Sequence, residues 1–377
     1  MNLDQEISHF ATLCQQTTRA SNYPEASGIL SQVPIYQGQE LLDTIETPRP
    51  RLALLNEWRC CLEKGPGVFV VRDGFSAQEI IDEMTNVFRD IIAEEQAHGS
   101  AKGDHFGTNE RIWNSLEKSV LKAPHLFADY YGNSLIALAC QAWLGPLYQL
   151  TAQVNIVKPG SQAQSPHRDY HLGFQSDETS ALFPEHAQVM SQFLTLQGAI
   201  VHNDMPIESG PTQLLPYSQQ YTPGYLQFRN PVFVDYFRKH AIQLAMKKGD
   251  LLFFNPALFH AAGSNHSETD RIANLIQISS AFGRTMESVN RYRMIEAVYP
   301  ELVKRKAATI LTELRQHDVI AALAEGYSFP TNLDSDPPTS GTAPRSQASY
   351  LSEALDDSWS MEKLLATLNN LDQRRKA

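Results

Sequence analysis

Between residue 147 and about residue 284, short β-rich runs follow one another without regular strand–helix–strand alternation. They fall at 149–158, 193–204, 212–216, 251–254 and 272–282. Pro159-Gly160, Glu208-Ser209-Gly210-Pro211 and Lys248-Gly249-Asp250 punctuate them. Parallel strands need long crossovers, usually helical, so this texture argues against a doubly wound sheet. It predicts a mainly β core, a barrel or double-sheet jelly roll.

Helices are expected on both sides, giving an α+β chain overall. Residues 1–64 read mainly as helix and loop, with Leu52, Leu55, Trp58, Cys61 and Leu62 at helical spacing. Gly65-Pro66-Gly67 leads into a short buried strand, Val68 to Val71. Ser76 is expected to cap the next helix, with Glu79 completing a capping box. More helix is expected to about residue 144 and again over 287–325. The stretch 328–349, rich in Ser, Thr, Pro and Asp, reads as a linker or ordered surface loop. A last amphipathic helix over about 359–373, with Leu364, Leu365, Leu368 and Leu371, is expected to dock on the body. Three regions follow: an N-terminal helical extension (1–64), a β-core domain (65–285) and C-terminal helices with their linker (286–377).

Hydrophobic residues make up 42% and charged residues 19%, as in a soluble globular protein. The net charge of −11 opposes binding to nucleic-acid phosphates, and no basic stripe compensates. No apolar run is long enough to span a membrane. The start, MNLDQEISHF, lacks the pattern of a secretory signal. The four cysteines form neither a CxxC pair nor a zinc spacing, which points to reduced thiols and a cytoplasmic location. Oligomeric state is not written in the sequence.

Non-haem iron sites commonly use two His and one carboxylate, often with two ligands supplied as His-x-Asp or His-x-Glu. On a strand, residues i and i+2 share a face and can reach one metal. With twelve histidines a chance match is expected, and three occur: His167-Arg168-Asp169, His202-Asn203-Asp204 and His266-Ser267-Glu268. The last lies in a polar run that reads as an exposed loop. The second ends a strand and is read as rim residues of the core. The first follows a Pro-Gly turn and is succeeded by Tyr170, His171 and Phe174, a mixture that suits a pocket wall. His260, six residues beyond the apolar run 251–254, supplies the third ligand in this reading. Arg271 opens the apolar run 272–278, where an unpaired guanidinium is costly to bury. It calls either for an internal Asp or Glu or for a dicarboxylate cosubstrate. With His167, Asp169 and His260 in order, the cosubstrate reading is preferred.

Over roughly residues 65–285 the chain resembles the phytanoyl-CoA dioxygenase family of iron(II)/2-oxoglutarate-dependent oxygenases. The resemblance rests on His167 to His171, on Glu208 to Ser218, and on Lys248-Gly249-Asp250 leading to His260 and Arg271. It implies a double-stranded β-helix core with Fe(II) on His167, Asp169 and His260. It also implies Arg271 on the distal carboxylate of 2-oxoglutarate, O2 as oxidant and ascorbate as an auxiliary reductant. Ala262 departs from the family's usual small hydroxyl residue two positions after the distal His, leaving further cosubstrate contacts open. Gln164 either bonds the metal-proximal carboxylate or is a polar loop residue.

The resemblance implies oxidation of an unactivated C–H bond, coupled to conversion of 2-oxoglutarate to succinate and CO2. Related halogenases carry Gly or Ala where Asp169 stands, so hydroxylation or a related oxidation is favoured here. Tyr170, His171 and Phe174 are placed at the substrate pocket, His171 either contacting substrate or supporting the site. An acyl-CoA would need a basic groove for its phosphates, which the acidic charge disfavours. A small or medium metabolite, of a secondary pathway, is preferred. The other readings are an acyl-CoA hydroxylase of the same family, a cupin-like metal enzyme without 2-oxoglutarate, and a non-catalytic jelly-roll binding protein.

Overall fold

In the computed structural model, residues 2–99, 109–329, 331–338 and 343–376 are described. Among the described residues ten strands form: β1 (Gly28–Leu30), β2 (Val33–Gln37), β3 (Val68–Arg72), β4 (Glu110–Ile112), β5 (Gln149–Val157), β6 (Thr195–Val201), β7 (Gln213–Leu214), β8 (Leu251–Phe254), β9 (His260–Ala261) and β10 (Arg271–Ser279). Eight join one sheet in the order β1-β2-β3-β8-β6-β10-β5-β4. Its one parallel contact is β2 with β3. Across it lies a much shorter layer, β7 paired with β9. Isolated bridges extend that layer sideways, joining His167 to His260, Leu214 to Ile242 and Met205 to Met246.

The expected mainly β core with flanking helices is present, although its second layer is shorter than a full jelly-roll sheet. The long sheet is covered on both faces, which is why its strands read as near-continuous apolar runs. Side chains alternate. Ile272, Ile276, Ile278, Leu196, Ile200 and Phe253 face the helices and belong to the largest buried cluster. Val201, Leu252, Phe254, Val68 and Val70 face inward and pack with Met205, Leu214, Leu244 and Met246 of the short layer.

Three local expectations are corrected. Residues 28–37 form β1 and β2, so the N-terminal region adds two strands to the sheet instead of being helix and loop alone. Pro34 hides that strand from pattern reading, but it sits in the outermost pair, opposite Ile29. The helix Gln78–Ala97 begins after Ala77 with no side-chain cap, so Ser76 and Glu79 form no capping box. The stretch 328–349 gives way to an additional helix, Gln347–Asp356, capped by Ser346; residues 330 and 339–342 lie outside the described residues. The final helix, Met361–Arg375, docks through buried Leu364, Leu368 and Leu371. At the other end, Phe10 of the helix Leu3–Cys14 packs against Phe259, next to His260.

Candidate metal centre

His167 and His260 exchange both backbone hydrogen bonds, at 2.9 and 3.1 Å. That pairing brings their rings to 4.4 Å between centroids. Asp169 is fixed from the opposite loop, its N–H donating to the Pro256 carbonyl at 3.0 Å. One ligand atom from each of His167, Asp169 and His260 lies within 4.8 Å of the others. Among the described residues this is the one such group of three or more His, Cys, Asp or Glu.

Arg168, between two members of the trio, points the other way. Its Nη2 donates to the Ser218 and Tyr221 carbonyls, both at 2.8 Å. Its guanidinium lies 4.9 Å from the Tyr225 ring centroid and 5.3 Å from that of Phe259. A Cβ on Gly224 would come within 2.0 Å of that guanidinium carbon, so a side chain there would displace the guanidinium. Arg168 thereby pins the segment that carries His167 and Asp169. Gly210, at φ +71°, turns the chain tightly against the Gly263 and Ser264 backbone beyond β9.

Hydrogen bonding fixes the imidazole tautomers. His167 Nδ1 lies 2.9 Å from the Ser165 carbonyl, and His260 Nδ1 lies 2.8 Å from the Leu258 carbonyl. A carbonyl only accepts, so each Nδ1 carries the proton and each Nε2 of a neutral ring presents a lone pair. These Nε2 atoms face Asp169, at 3.7 Å from Oδ1 for His167 and 3.2 Å from Oδ2 for His260. Neutral rings so arranged cannot also donate to the carboxylate. A cation among the three groups resolves the conflict, so the donor set fits a divalent transition metal. Burial and the neighbouring His260 lower the His167 pKa, favouring the neutral ligand form. Burial alone would raise the Asp169 carboxyl, but the neighbouring His167 and His260 outweigh it and hold the acid ionised.

The other two His-x-acid pairs lie elsewhere. His202 is buried on the helical face of the sheet, with Nδ1 at 2.7 Å from Thr85 Oγ1 and Nε2 at 2.6 Å from the Tyr130 hydroxyl. Thr85 gives its own proton to the Ile81 carbonyl, so it accepts from His202, and Tyr130 donates. His266 and Glu268 are exposed.

Arg271 begins β10 and is buried, and no carboxylate among the described residues is within ion-pair reach. Its Nη1 has no hydrogen-bond partner, and burial lowers its pKa to about 10. It lines a cavity between the layers, together with Asn155, Thr212 and Leu214. Leu214 pairs with His260, so the cavity adjoins the trio. An orphaned cation there fits a carboxylate ligand. Gln164 bridges two loops: its N–H donates to the Ala262 carbonyl at 2.9 Å, and its Oε1 accepts from Ala262 N–H at 3.2 Å.

Of the expected pocket residues, Tyr170 is buried, its hydroxyl unpartnered, and sits at φ +65° directly after Asp169. His171 is bonded through Nδ1 to Ser191 Oγ at 3.0 Å and lines a separate shallow cleft with Leu172, Phe183 and Met190. Phe174 is exposed. Sequence reasoning passed over Arg168 and also Gln197, whose side chain stands beside Asp169. The available signal for Gln197 was a carboxamide inside an apolar run, in step with Ala199 and Val201.

Comparison with known proteins adds the lineage. Among solved structures, the nogalamycin-biosynthesis epimerase SnoN is similar at 16% identity, over 61% of this chain and 84% of that one, with a TM-score of 0.42. The carbocyclase SnoK of the same biosynthesis is similar at 17% identity, over 59% and 83%, with a TM-score of 0.41. Comparison with curated protein sequences gives no match. The family model for phytanoyl-CoA dioxygenase (PhyH) matches residues 64–273, more than half of the 377, and takes in the trio and Arg271. The chain belongs to the phytanoyl-CoA dioxygenase family.

Proposed function

We propose that the protein is an Fe(II)- and 2-oxoglutarate-dependent oxygenase that hydroxylates a small or medium metabolite, with the reactive core in residues 65–285 and the regions 1–64 and 286–377 as packed extensions. The observation that carries this reading is the trio itself: two imidazoles with Nδ1 committed to carbonyls and Nε2 turned to one carboxylate. His167, Asp169 and His260 hold the iron in this account, and Arg271 takes the distal carboxylate of 2-oxoglutarate. When bound, iron and 2-oxoglutarate supply O2-dependent oxidation with release of succinate and CO2. The protein's part is to hold the ligands, exclude water and place the substrate C–H bond. Gln164 and the pocket residues Tyr170, His171 and Phe174 remain assigned to the surroundings of the site, with Tyr170 nearest Asp169.

Succinate formation from 2-oxoglutarate with Fe(II), O2 and ascorbate tests the reading. Wild type should form succinate only with iron. His167→Ala should abolish both the activity and the bound iron, while His202→Ala should keep most of each. Iron retained by His167→Ala and lost from His202→Ala would reverse the assignment.

A further inference from the structure

The inner face of the long sheet changes character along its strands. Near Arg271 and through Ala199, Leu252 and Leu275 it is mostly apolar. Further along it becomes a polar shelf, because Gln277 lies opposite Gln197 and Ser279 lies opposite Thr195. The shelf is buried: Gln197 is 6% exposed, Gln277 7%, and Thr195 and Ser279 1% each. Four of its atoms have no hydrogen-bond partner: Gln197 Oε1, Gln277 Oε1, Thr195 Oγ1 and Ser279 Oγ.

The Gln197 side chain stands beside Asp169. A carboxylate only accepts, so the orientation that turns Nε2 toward Asp169 leaves Oε1 free for a donor. The same side of the centre carries a carboxylate. Glu287 Oε1 accepts from Asn114 N–H at 2.6 Å and from Gln153 Nε2 at 3.3 Å, while its buried Oε2 has no partner. The charges of Glu287 and Asp169 both act on Tyr170, which directly follows Asp169.

Buried acceptors without donors are unfavourable in a fold and are usually satisfied. Here they gather on one shelf that meets Asp169 through Gln197. We infer that this shelf is the substrate subsite and that it takes a small molecule rich in hydrogen-bond donors, hydroxyl groups together with a protonated amine, rather than an acyl chain. Gln197, Gln277 and Glu287 receive its donors, and Thr195 and Ser279 pair with further hydroxyls. The inference rests on the proposed metal reading, which places the reacting centre beside Asp169.

The test uses the full chain loaded with Fe(II) and 2-oxoglutarate without oxygen, followed by thermal unfolding. Glucosamine, myo-inositol and serinol are the polar probes, and decanoate is the apolar one. At least one polar probe should raise the melting temperature by about 2 °C or more, through preferential binding to the folded state. Gln277→Leu should lose most of that shift while melting no lower than wild type, since removing an orphaned acceptor relieves the fold. Three results would each overturn the inference: no shift with any polar probe, a shift with decanoate alone, or a markedly lower melting temperature of unliganded Gln277→Leu. Failure of the metal reading shows separately, as the absence of iron-dependent succinate.

Discussion

His167 and His202 carry the same His-x-Asp pattern in opposite chemical situations. At His167 the outer nitrogen is left bare toward a carboxylate. At His202 both nitrogens are satisfied in the neutral ring, because Nδ1–H donates to Thr85 and Nε2 accepts from Tyr130. Protonation would set an N–H against the Tyr130 hydroxyl, whose oxygen already accepts from Asn274. Burial lowers the His202 pKa to about 3, with the charge of Asp82 acting weakly the other way. An unfolded His titrates near 6.5, so between about pH 6.5 and about pH 3 the unfolded chain holds a proton that the folded chain refuses. The stability from this group is therefore complete above pH 6.5 and falls as pH drops. Between pH 7.5 and 5.5 the loss is about 1.4 kcal/mol. Urea unfolding of wild type and His202→Gln at these two pH values should show that extra loss in wild type alone; equal losses would mean that His202 is not held neutral. Residue types and spacing sufficed to pick His167, Asp169, His260 and Arg271 as candidates. The direction of each imidazole did not, because it depends on the Ser165 and Leu258 carbonyls, which no side-chain pattern encodes.

At the scale of elements, legibility followed burial. β5, β6, β8 and β10 are buried on both faces and were visible as runs bounded by Gly, Pro and Asp. β1 and β2 were hidden because their pairing is non-local and Pro34 interrupts the pattern. The helix Gln347–Asp356 was masked by the polar stretch before it, although Leu351, Ala354 and Leu355 are buried. The closing helix was clearer, since Leu364, Leu368 and Leu371 recur on one side and all are buried. Leu368 is 1% exposed, and truncating a leucine so buried costs about 2–5 kcal/mol. Leu368→Ala should lower the denaturation midpoint accordingly without changing iron content. An unchanged midpoint would mean that the helix does not contribute to the fold and is free for another partner.

Taken as one molecule, the chain sets a large sheet against a short second layer and places its unusual groups between them. The trio joins the layers through the His167–His260 bridge, Arg271 lies toward one end of the inner face, and the polar shelf lies toward the other. No helix among the described residues is long and apolar enough to cross a membrane. Sequence reading reached the trio and Arg271 because they stand at strand ends and turns. It missed the shelf because Gln197 and Gln277 are separated by eighty positions and meet only through strand register. The account's central claim is that the metal trio and Arg271 act on one cosubstrate. Titration of 2-oxoglutarate into the anaerobic Fe(II) protein tests it most directly, followed by the metal-to-ligand charge-transfer absorbance of the complex. Truncating one partner of a buried charge pair costs about 2–5 kcal/mol. That corresponds to roughly 30- to several-thousand-fold in affinity. Arg271→Ala should weaken 2-oxoglutarate by that factor while still binding iron, with Arg271→Lys intermediate because the charge stays and the fork is lost. A midpoint unchanged in Arg271→Ala would contradict the account.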